Sequence, residues 1–131
     1  MVSELMKPAP NTGVTDWVRQ TPERITWLSV VTLGELQRGI ERMPSAPRRL
    51  ALEQWLANDV IQRFAGRLVA LDAAVMLTWG TLYARLELAG RKLPSMDSLI
   101  AASALHHGLT LVTRNVTDFE AAGIPLLNPW N

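Results

Sequence analysis

The segment Lys92–Phe119 constrains the fold most strongly, because it predicts a helix, a glycine turn and a strand in immediate succession. Small and apolar residues recur with a helical period up to His107, and Ser95 is a candidate N-cap. Gly108 stands where a left-handed residue ends many helices. Leu109–Val112 then has the composition of a short buried strand.

The lengths of this helix and strand predict where their polar ends meet. From Asp97 the helix advances about 15 Å at about 1.5 Å per residue, and the strand after Gly108 returns about 16 Å at about 3.3 Å per residue. If Gly108 reverses the chain, Asp97 lies beside Asn115 and Asp118, just beyond the strand. Two carboxylates and an amide are therefore expected at one edge.

Four apolar segments predict strands, and helical patterns separate them. The predicted strands are Ile25–Val31, Leu68–Leu71, Leu109–Val112 and Ile124–Leu127, and the predicted helices cover 2–7, 14–20, 32–43, 47–65, 73–89 and 95–107. This alternation predicts an α/β fold with a mainly parallel sheet between helix layers. Ligands in such sheets bind beyond the carboxyl ends of the strands, and Glu35, Asp97, Asn115 and Asp118 all map there.

Length and composition predict one domain over residues 1–131, with 48% hydrophobic and 19% charged residues. No apolar run is long enough to span a bilayer and no signal peptide is evident, so a cytoplasmic protein without membrane contact is expected. Zero cysteines exclude disulfides, thiolate metal sites and a thiol nucleophile. The net charge of +1 does not indicate a nucleic-acid partner, although four arginines cluster between Arg38 and Arg49.

Each acid has a structural explanation that competes with function. Thr32 and Glu35 have the spacing of a capping box, Asp97 lies in a first helical turn, and Asp118 is a candidate turn cap. Convergence of three carboxylates on one edge favours a shared function, because they repel one another unless a cation intervenes. Such a cluster predicts Mg²⁺ or Mn²⁺, which in phosphodiester hydrolysis activates water and neutralises phosphate charge.

Three motifs carry a resemblance to a known family. They are S-V-V-T-L-G-E-L-x-R-G-I-E-R at 29–42, P-x-x-D-x-L-I-A-A-x-A-L at 94–105, and G-L-T-L-V-T-R-N-V-x-D-F at 108–119. Together they resemble the PIN-domain family, with VapC-type toxins of toxin–antitoxin pairs as the most similar group. The resemblance covers essentially the whole chain, in order.

The resemblance implies a three-layer α/β/α sandwich and a metal-dependent endoribonuclease that cleaves RNA. It also implies a homodimer and a cognate antitoxin protein as partner. Glu35, Asp97 and Asp118 match catalytic, metal-binding acids of the family, and Asn115 matches a supporting residue. Asp97 is the strongest candidate for a metal ligand.

The sequence departs from the family at its start. Family members begin with an apolar strand that ends in an aspartate and is followed by V-V-S-E-L, whereas Met1–Leu5 matches only that last part. The missing strand is the central one, so its neighbours, the predicted strands at 25–31 and 109–112, are expected to have unpaired edges. We expect an in-frame upstream segment to encode it, and the 131-residue chain alone to be poorly folded and inactive.

Two alternative functions are compatible with these residues: an inactive toxin-fold remnant that binds an antitoxin, and a DNA-directed or structure-specific nuclease. A broad apolar stripe on the helix 73–89 is a candidate homodimer interface, although burial within the protomer explains it equally well. The stripe consists of Val75, Met76, Trp79, Leu82, Tyr83 and Leu86.

Overall fold

The computed structural model describes all residues 1–131 and is rich in helix. The α-helices are α1 (Thr12–Gln20), α2 (Val30–Glu41), α3 (Pro47–Gln54), α4 (Ile61–Arg63), α5 (Ala73–Leu88), α6 (Ser95–His107) and α7 (Val116–Phe119). A π-helical segment, Trp55–Val60, joins α3 to α4, and 3₁₀ turns lie at Val2–Met6, Glu23–Ile25 and Glu120–Ala122. The strands are β1 (Leu28–Ser29), β2 (Leu68–Val69), β3 (Leu111–Val112) and β4 (Leu126–Leu127).

The four strands form two separate parallel pairs. Strand β1 pairs with β2, with Leu28 opposite Leu68, and β3 pairs with β4, with Leu111 opposite Leu126. No ladder joins the pairs, so one side of every strand lacks a strand partner. The α/β class and the parallel strand direction are therefore confirmed, and the strands are divided between two small sheets.

The buried side chains likewise form two clusters. One contains Leu82 and Leu86 of α5, Ala101, Ala102 and Ala104 of α6, and Leu93, Phe119, Ala122 and Ile124. The other contains Leu28, Leu36 and Ile40 around β1 and α2, together with Val2, Leu52, Leu56 and Val60. Each cluster covers one strand pair, and the packing of α2 against α6 connects the two halves.

Local hydrogen bonds explain where several helices begin and end. The Asp72 carboxylate accepts from the N–H of Val75 at 2.9 Å and caps α5, as the sequence predicts. Gly108 ends α6 with φ of 65°, in the left-handed region that favours glycine, which confirms the predicted reversal.

Three local predictions are wrong. The strand predicted at Ile25–Val31 is only Leu28–Ser29, because the Ser29 hydroxyl accepts from the N–H of Val31 and starts α2 early. That start places Glu35 in the second turn of α2, so the capping box with Thr32 does not form. The N-cap of α6 is Pro94 rather than Ser95, and no side chain caps this helix.

The broad stripe on α5 is divided between two roles. Val75, Leu82 and Leu86 are buried within the protomer, and Trp79 packs against the cluster that contains Leu82 and Leu86. Of the other stripe residues, Tyr83 is half-buried and Met76 is exposed. The solvent-facing side of α5 instead presents Leu77 and Leu88, which are 76% and 91% exposed. An interface on α5 would therefore use this opposite face. None of the helices has the length and apolar character needed to cross a membrane.

The C-terminal residues are fastened to the start of α1 through Asn11. The Asn11 side-chain oxygen accepts from the N–H groups of Gly13 at 2.9 Å, Val14 at 3.3 Å and Asn131 at 3.2 Å, and its amide nitrogen donates to the Asn131 carbonyl at 3.0 Å. A Cβ at position 13 would lie 2.2 Å from the Pro129 carbonyl oxygen, so only glycine permits this approach. One side chain therefore caps a helix and holds the chain end.

We predict that Asn11→Ala lowers stability by about 1 kcal/mol through the lost cap, which corresponds to a thermal midpoint lower by about 4 °C. The matched control is Asp16→Ala in the same helix, because the exposed Asp16 carboxylate contacts only Arg19 at 3.3 Å. Thermal unfolding followed by circular dichroism measures both variants. Equal midpoints for the two variants would contradict the fastening role.

Candidate active site

Two of the three candidate acids follow the carboxyl end of a strand, and the third lies at the start of a helix that leads into a strand. Glu35 lies on α2, which begins directly after β1, and Asp118 lies on α7, shortly after β3. Asp97 lies in the first turn of α6, whose C-terminal end leads through Gly108 into β3. The helix and the strand thus run in opposite directions. Their similar lengths then bring Asp97 back towards the end of β3, where the charge of Asp118 acts on it.

Electrostatic influences on their pKa values connect these carboxylates in two pairs. Burial is the main cause that raises the pKa of Asp97, and the negative charge of Asp118 adds to it. Partial loss of solvation also raises the pKa of Glu35, although this side chain stays exposed, and the charge of Asp97 adds to that increase, while the Met1 amino group and Arg38 oppose it. Asp97 is therefore the central member, since it interacts with an acid from each half of the molecule.

A buried hydrogen-bond chain holds the first turn of α6, where Asp97 lies. The Trp79 indole nitrogen donates to the Ser98 hydroxyl at 2.8 Å, and that hydroxyl donates to the Ser95 carbonyl at 2.6 Å. Trp79 also stacks on Tyr83, with ring centroids 5.2 Å apart. Sequence reasoning missed Ser98, although a serine on a buried helix face followed by tightly packed alanines is a detectable signal.

Asn115 shapes the turn that presents Asp118. The Asn115 N–H donates to the Thr113 hydroxyl at 3.1 Å, and the Asp118 N–H donates to the Asn115 carbonyl at 3.1 Å. Both polar side chains are exposed at the start of α7. The hydrogen bond that the structure shows between Asn115 and Asp118 is therefore a backbone contact at the start of α7.

The donor atoms suit a hard cation, and their spacing limits how one could bind. No three acidic or histidine side chains lie close enough together to enclose a metal ion directly. Mg²⁺, however, keeps several water ligands and is commonly held by only one or two carboxylates. Glu35, Asp97 and Asp118 carry oxygen donors of the type that such an ion takes, but the structure does not bring all three within reach of one ion.

The arginines of the cluster between Arg38 and Arg49 differ in their contacts: two bind other groups of the protein and two form no ion pair. Arg49 contacts Glu41 and Glu53 at 3.0 and 2.9 Å, and Arg48 donates to the Met6 carbonyl at 2.8 Å. Arg38 and Arg42 are exposed and form no ion pair. They lie three and seven residues after Glu35, so they extend the same face of α2 as the acid.

Glu4 is the one fully buried carboxylate of the chain, and it was not predicted. Its side chain is 6% exposed and accepts from the Trp130 indole nitrogen and from the Lys7 ammonium, both at 3.0 Å. These two hydrogen bonds, with Trp130 the stronger cause, lower the pKa of Glu4. Because 126 residues separate Glu4 from Trp130, no local sequence pattern signals the pair.

Comparison with known proteins identifies the family to which this chain is similar. The PIN domain matches residues 10–124. The chain is 33% identical over 130 residues to VapC ribonuclease Y4jK of Sinorhizobium fredii, covering 99% of this chain and 93% of that protein. It is 35% identical to plasmid stability protein StbB of Pseudomonas syringae pv. tomato, covering 99% and 94%.

Solved structures show the same similarity. The crystal structure of FitAcB from Neisseria gonorrhoeae superimposes with a TM-score of 0.93 at 29% identity, covering 99% of this chain and 94% of that one. The structure of FitAB bound to a DNA fragment gives the same TM-score at 27% identity. The match of the PIN domain over residues 10–124 and the relatives that are 33% and 35% identical over 99% of the chain establish that this chain belongs to the PIN-domain family.

Proposed function

We propose that the protein is a metal-dependent endoribonuclease and the toxin of a toxin–antitoxin pair. The observation that carries this proposal is the coupling of Asp97 to both Glu35 and Asp118 beyond the ends of β1 and β3. Relatives named as ribonucleases and toxins support the same reaction class. Glu35, Asp97 and Asp118 are the proposed catalytic, metal-binding residues, with Asn115 in support.

The proposed chemistry uses carboxylates to hold a cation beside a phosphodiester. Bound Mg²⁺ or Mn²⁺ would supply an activated water and would neutralise charge developing on the phosphate. Asp97, central to the group, would be a direct ligand, while Glu35 and Asp118 would orient water or the ion from either side. The raised pKa values of Glu35 and Asp97 mean that each holds its proton more tightly without a cation than an exposed acid would.

RNA is the proposed substrate, and α2 offers it a basic track. Arg38 and Arg42 lie on the same helical face as Glu35 and are free of ion pairs, so their guanidinium groups are available for phosphates. Because the net charge of the chain is only +1, binding of RNA phosphates depends on local basic residues such as these rather than on the overall charge.

We also propose an antitoxin partner and a homodimer. Structures of FitAB and VapBC complexes that superimpose on this chain support a protein partner. Leu77 and Leu88, on the solvent-facing side of α5, are the proposed dimer contacts, since the inward face is already buried in the protomer.

An antitoxin-binding module without catalysis is a second candidate, favoured by one observation. The three acids do not close into a direct metal-ligand cluster. Metal-dependent turnover separates the two candidates, and a comparison of RNA with DNA substrates separates a ribonuclease from a DNA-directed nuclease.

We predict that Asp97→Asn lowers RNA cleavage in Mg²⁺ or Mn²⁺ by about two orders of magnitude or more, because it removes the central carboxylate ligand. Asp59→Asn is the matched control, since Asp59 is exposed on the π-helical segment. Cleavage of labelled RNA and of DNA of the same sequence is measured with and without metal. Wild-type rates for Asp97→Asn would exclude the proposed site, and no metal-dependent cleavage by the unmodified protein would favour the binding module.

We predict that Asp97→Asn raises the thermal midpoint of the metal-free protein at pH 7–8, because it removes a partly desolvated charge that Asp118 repels. The increase is on the order of 1–3 °C, since solvent screens both effects at a partly exposed site. The pKa of Asp97 is raised by folding, so the folded protein binds this proton at a higher pH than the unfolded chain does. Lowering the pH through the raised pKa therefore stabilises the unmodified protein, and the advantage of the variant disappears. Thermal unfolding in a chelator between pH 4 and pH 8 measures this; an advantage that grows on acidification would contradict it.

We predict that the double variant Arg38→Gln and Arg42→Gln raises KM for RNA by about tenfold and reduces the dependence of binding on salt, because two phosphate contacts are lost. Arg91→Gln is the control, since Arg91 is exposed in the connection after α5. Cleavage kinetics at several salt concentrations measure both effects. An unchanged KM and salt dependence would exclude α2 as the phosphate track.

A further inference from the structure

Helix α6 has two buried serine hydroxyls that bond to the preceding turn, and one of them also bonds to another helix. The Ser98 hydroxyl donates to the Ser95 carbonyl at 2.6 Å, and the Ser103 hydroxyl donates to the Leu99 carbonyl at 2.9 Å. Such bonds from a serine to its own helix are common. Ser98 differs because it also accepts a hydrogen bond at 2.8 Å from the Trp79 indole on α5.

The direction of these hydrogen bonds follows from the chemistry of the two side chains. An indole N–H can only donate, so the Ser98 hydroxyl is the acceptor and its single proton is left for the Ser95 carbonyl. Each bond in such a chain polarises and strengthens the next. Trp79 is itself oriented by its stack on Tyr83, with ring centroids 5.2 Å apart and planes 16° apart. Two short hydrogen bonds thus connect α5 to the first turn of α6.

The first turn of α6 has few other side-chain contacts to hold it. Its N-cap is Pro94, no side chain caps the helix, and Met96 in the same turn is 54% exposed. Helix ends without a cap fray, because their first N–H groups have no partner within the helix. The Asp97 carboxylate in this turn has no ion-pair partner, so its position depends on how firmly the turn is held.

We infer that Trp79, acting through Ser98, is a positioning residue for Asp97. The inference rests on the proposed function, in which Asp97 is the central acid. Ser98 directly follows Asp97 in the chain, so movement of the Ser98 backbone also moves the carboxylate. A displacement of about 1 Å at a reacting group costs about a hundredfold in rate. Loss of the indole hydrogen bond therefore slows the chemical step, whereas RNA binding depends on phosphate contacts on α2.

The test compares two variants that remove the bond between the helices with two that preserve it. Trp79→Phe removes the indole N–H, and Ser98→Ala removes its acceptor. The matched controls are Ser103→Ala, which removes the other buried hydroxyl of α6, and Tyr83→Phe, which keeps an aromatic ring in the stack. Circular dichroism of each full chain establishes that the variants are folded.

Amide hydrogen exchange measures the first turn directly, without RNA or metal. The reporter is the N–H of position 98, which donates to the Pro94 carbonyl at 2.9 Å. We expect its protection from exchange to fall about tenfold in Trp79→Phe and Ser98→Ala, after correction for the intrinsic rate of each residue. The two controls should retain the protection of the unmodified protein. Unchanged protection in Trp79→Phe and Ser98→Ala would overturn the inference.

Cleavage kinetics separate positioning from a purely structural role. With RNA and Mg²⁺ or Mn²⁺, well below the thermal midpoint of every variant, we expect Trp79→Phe and Ser98→Ala to lower kcat by about tenfold and to leave KM unchanged. A variant that is only less stable keeps its kcat under these conditions. Wild-type kcat in both variants, or a rise in KM alone, would overturn the inference.

The double variant Trp79→Phe with Ser98→Ala tests whether the two residues act as one unit. Because one hydrogen bond joins them, we expect kcat of the double variant to match that of Ser98→Ala. Reductions in kcat that multiply would overturn the inference. Absence of metal-dependent cleavage by the unmodified protein would instead contradict the proposed function, and hydrogen exchange at position 98 would still decide whether Trp79 positions Asp97.

Discussion

The packing of α6 between α5 and α2 is the interaction on which the rest of the structure depends. Its central residues, Ala101 to Ala104, are all buried and all small, so neighbouring helices can approach closely. Leu82 and Leu86 of α5 fill the space on one side, and α2 packs on another. Because α6 contacts both halves, Asp97 in its first turn experiences the charge of Asp118 and influences Glu35 in the other half.

This position has an electrostatic cost that the packing must offset. Burial and neighbouring negative charge raise the pKa of Asp97 and Glu35, so the ionised forms are less favourable here than in water. The hydrogen-bond chain from Trp79 through Ser98 to the Ser95 carbonyl fixes the turn against that repulsion. A group of carboxylates that is unfavourable alone gains from a cation, which is why such clusters are characteristic of metal-assisted sites.

Features set by local residue chemistry could be predicted from the sequence. Gly108 reverses the chain because a left-handed conformation favours glycine, and Asp72 caps α5 because its carboxylate reaches the N–H of Val75. The electrostatic influence of Asp118 on Asp97 agrees with the positions expected from the lengths of a helix and a strand, whereas the shared function of the acids stays a prediction. The start of α2 was predicted wrongly because two neighbouring residues can cap it. Ser29 and Thr32 both have a suitable hydroxyl, and only the folded structure shows that Ser29 is the N-cap.

Long-range contacts could not be predicted at all. Glu4 is buried beneath Trp130, and Asn11 holds Asn131, yet each pair joins opposite ends of the chain with no shared local pattern. The same limitation applies to the arginines, where Arg49 is occupied by Glu41 and Glu53 while Arg38 remains free.

The division into two strand pairs has a thermodynamic consequence. Backbone N–H and C=O groups that face no partner strand need hydrogen bonds from water or from another chain. The free edges of β1 and β3 therefore contribute less to the free energy of folding than paired edges would. The two hydrophobic clusters are also connected mainly through helix contacts rather than a continuous sheet. Cooperative unfolding of the whole chain therefore depends on the interface of α2 with α6, which also brings Glu35 within the electrostatic influence of Asp97. The stability of the protein as a unit and the geometry of its candidate site are accordingly determined by the same helix–helix contact.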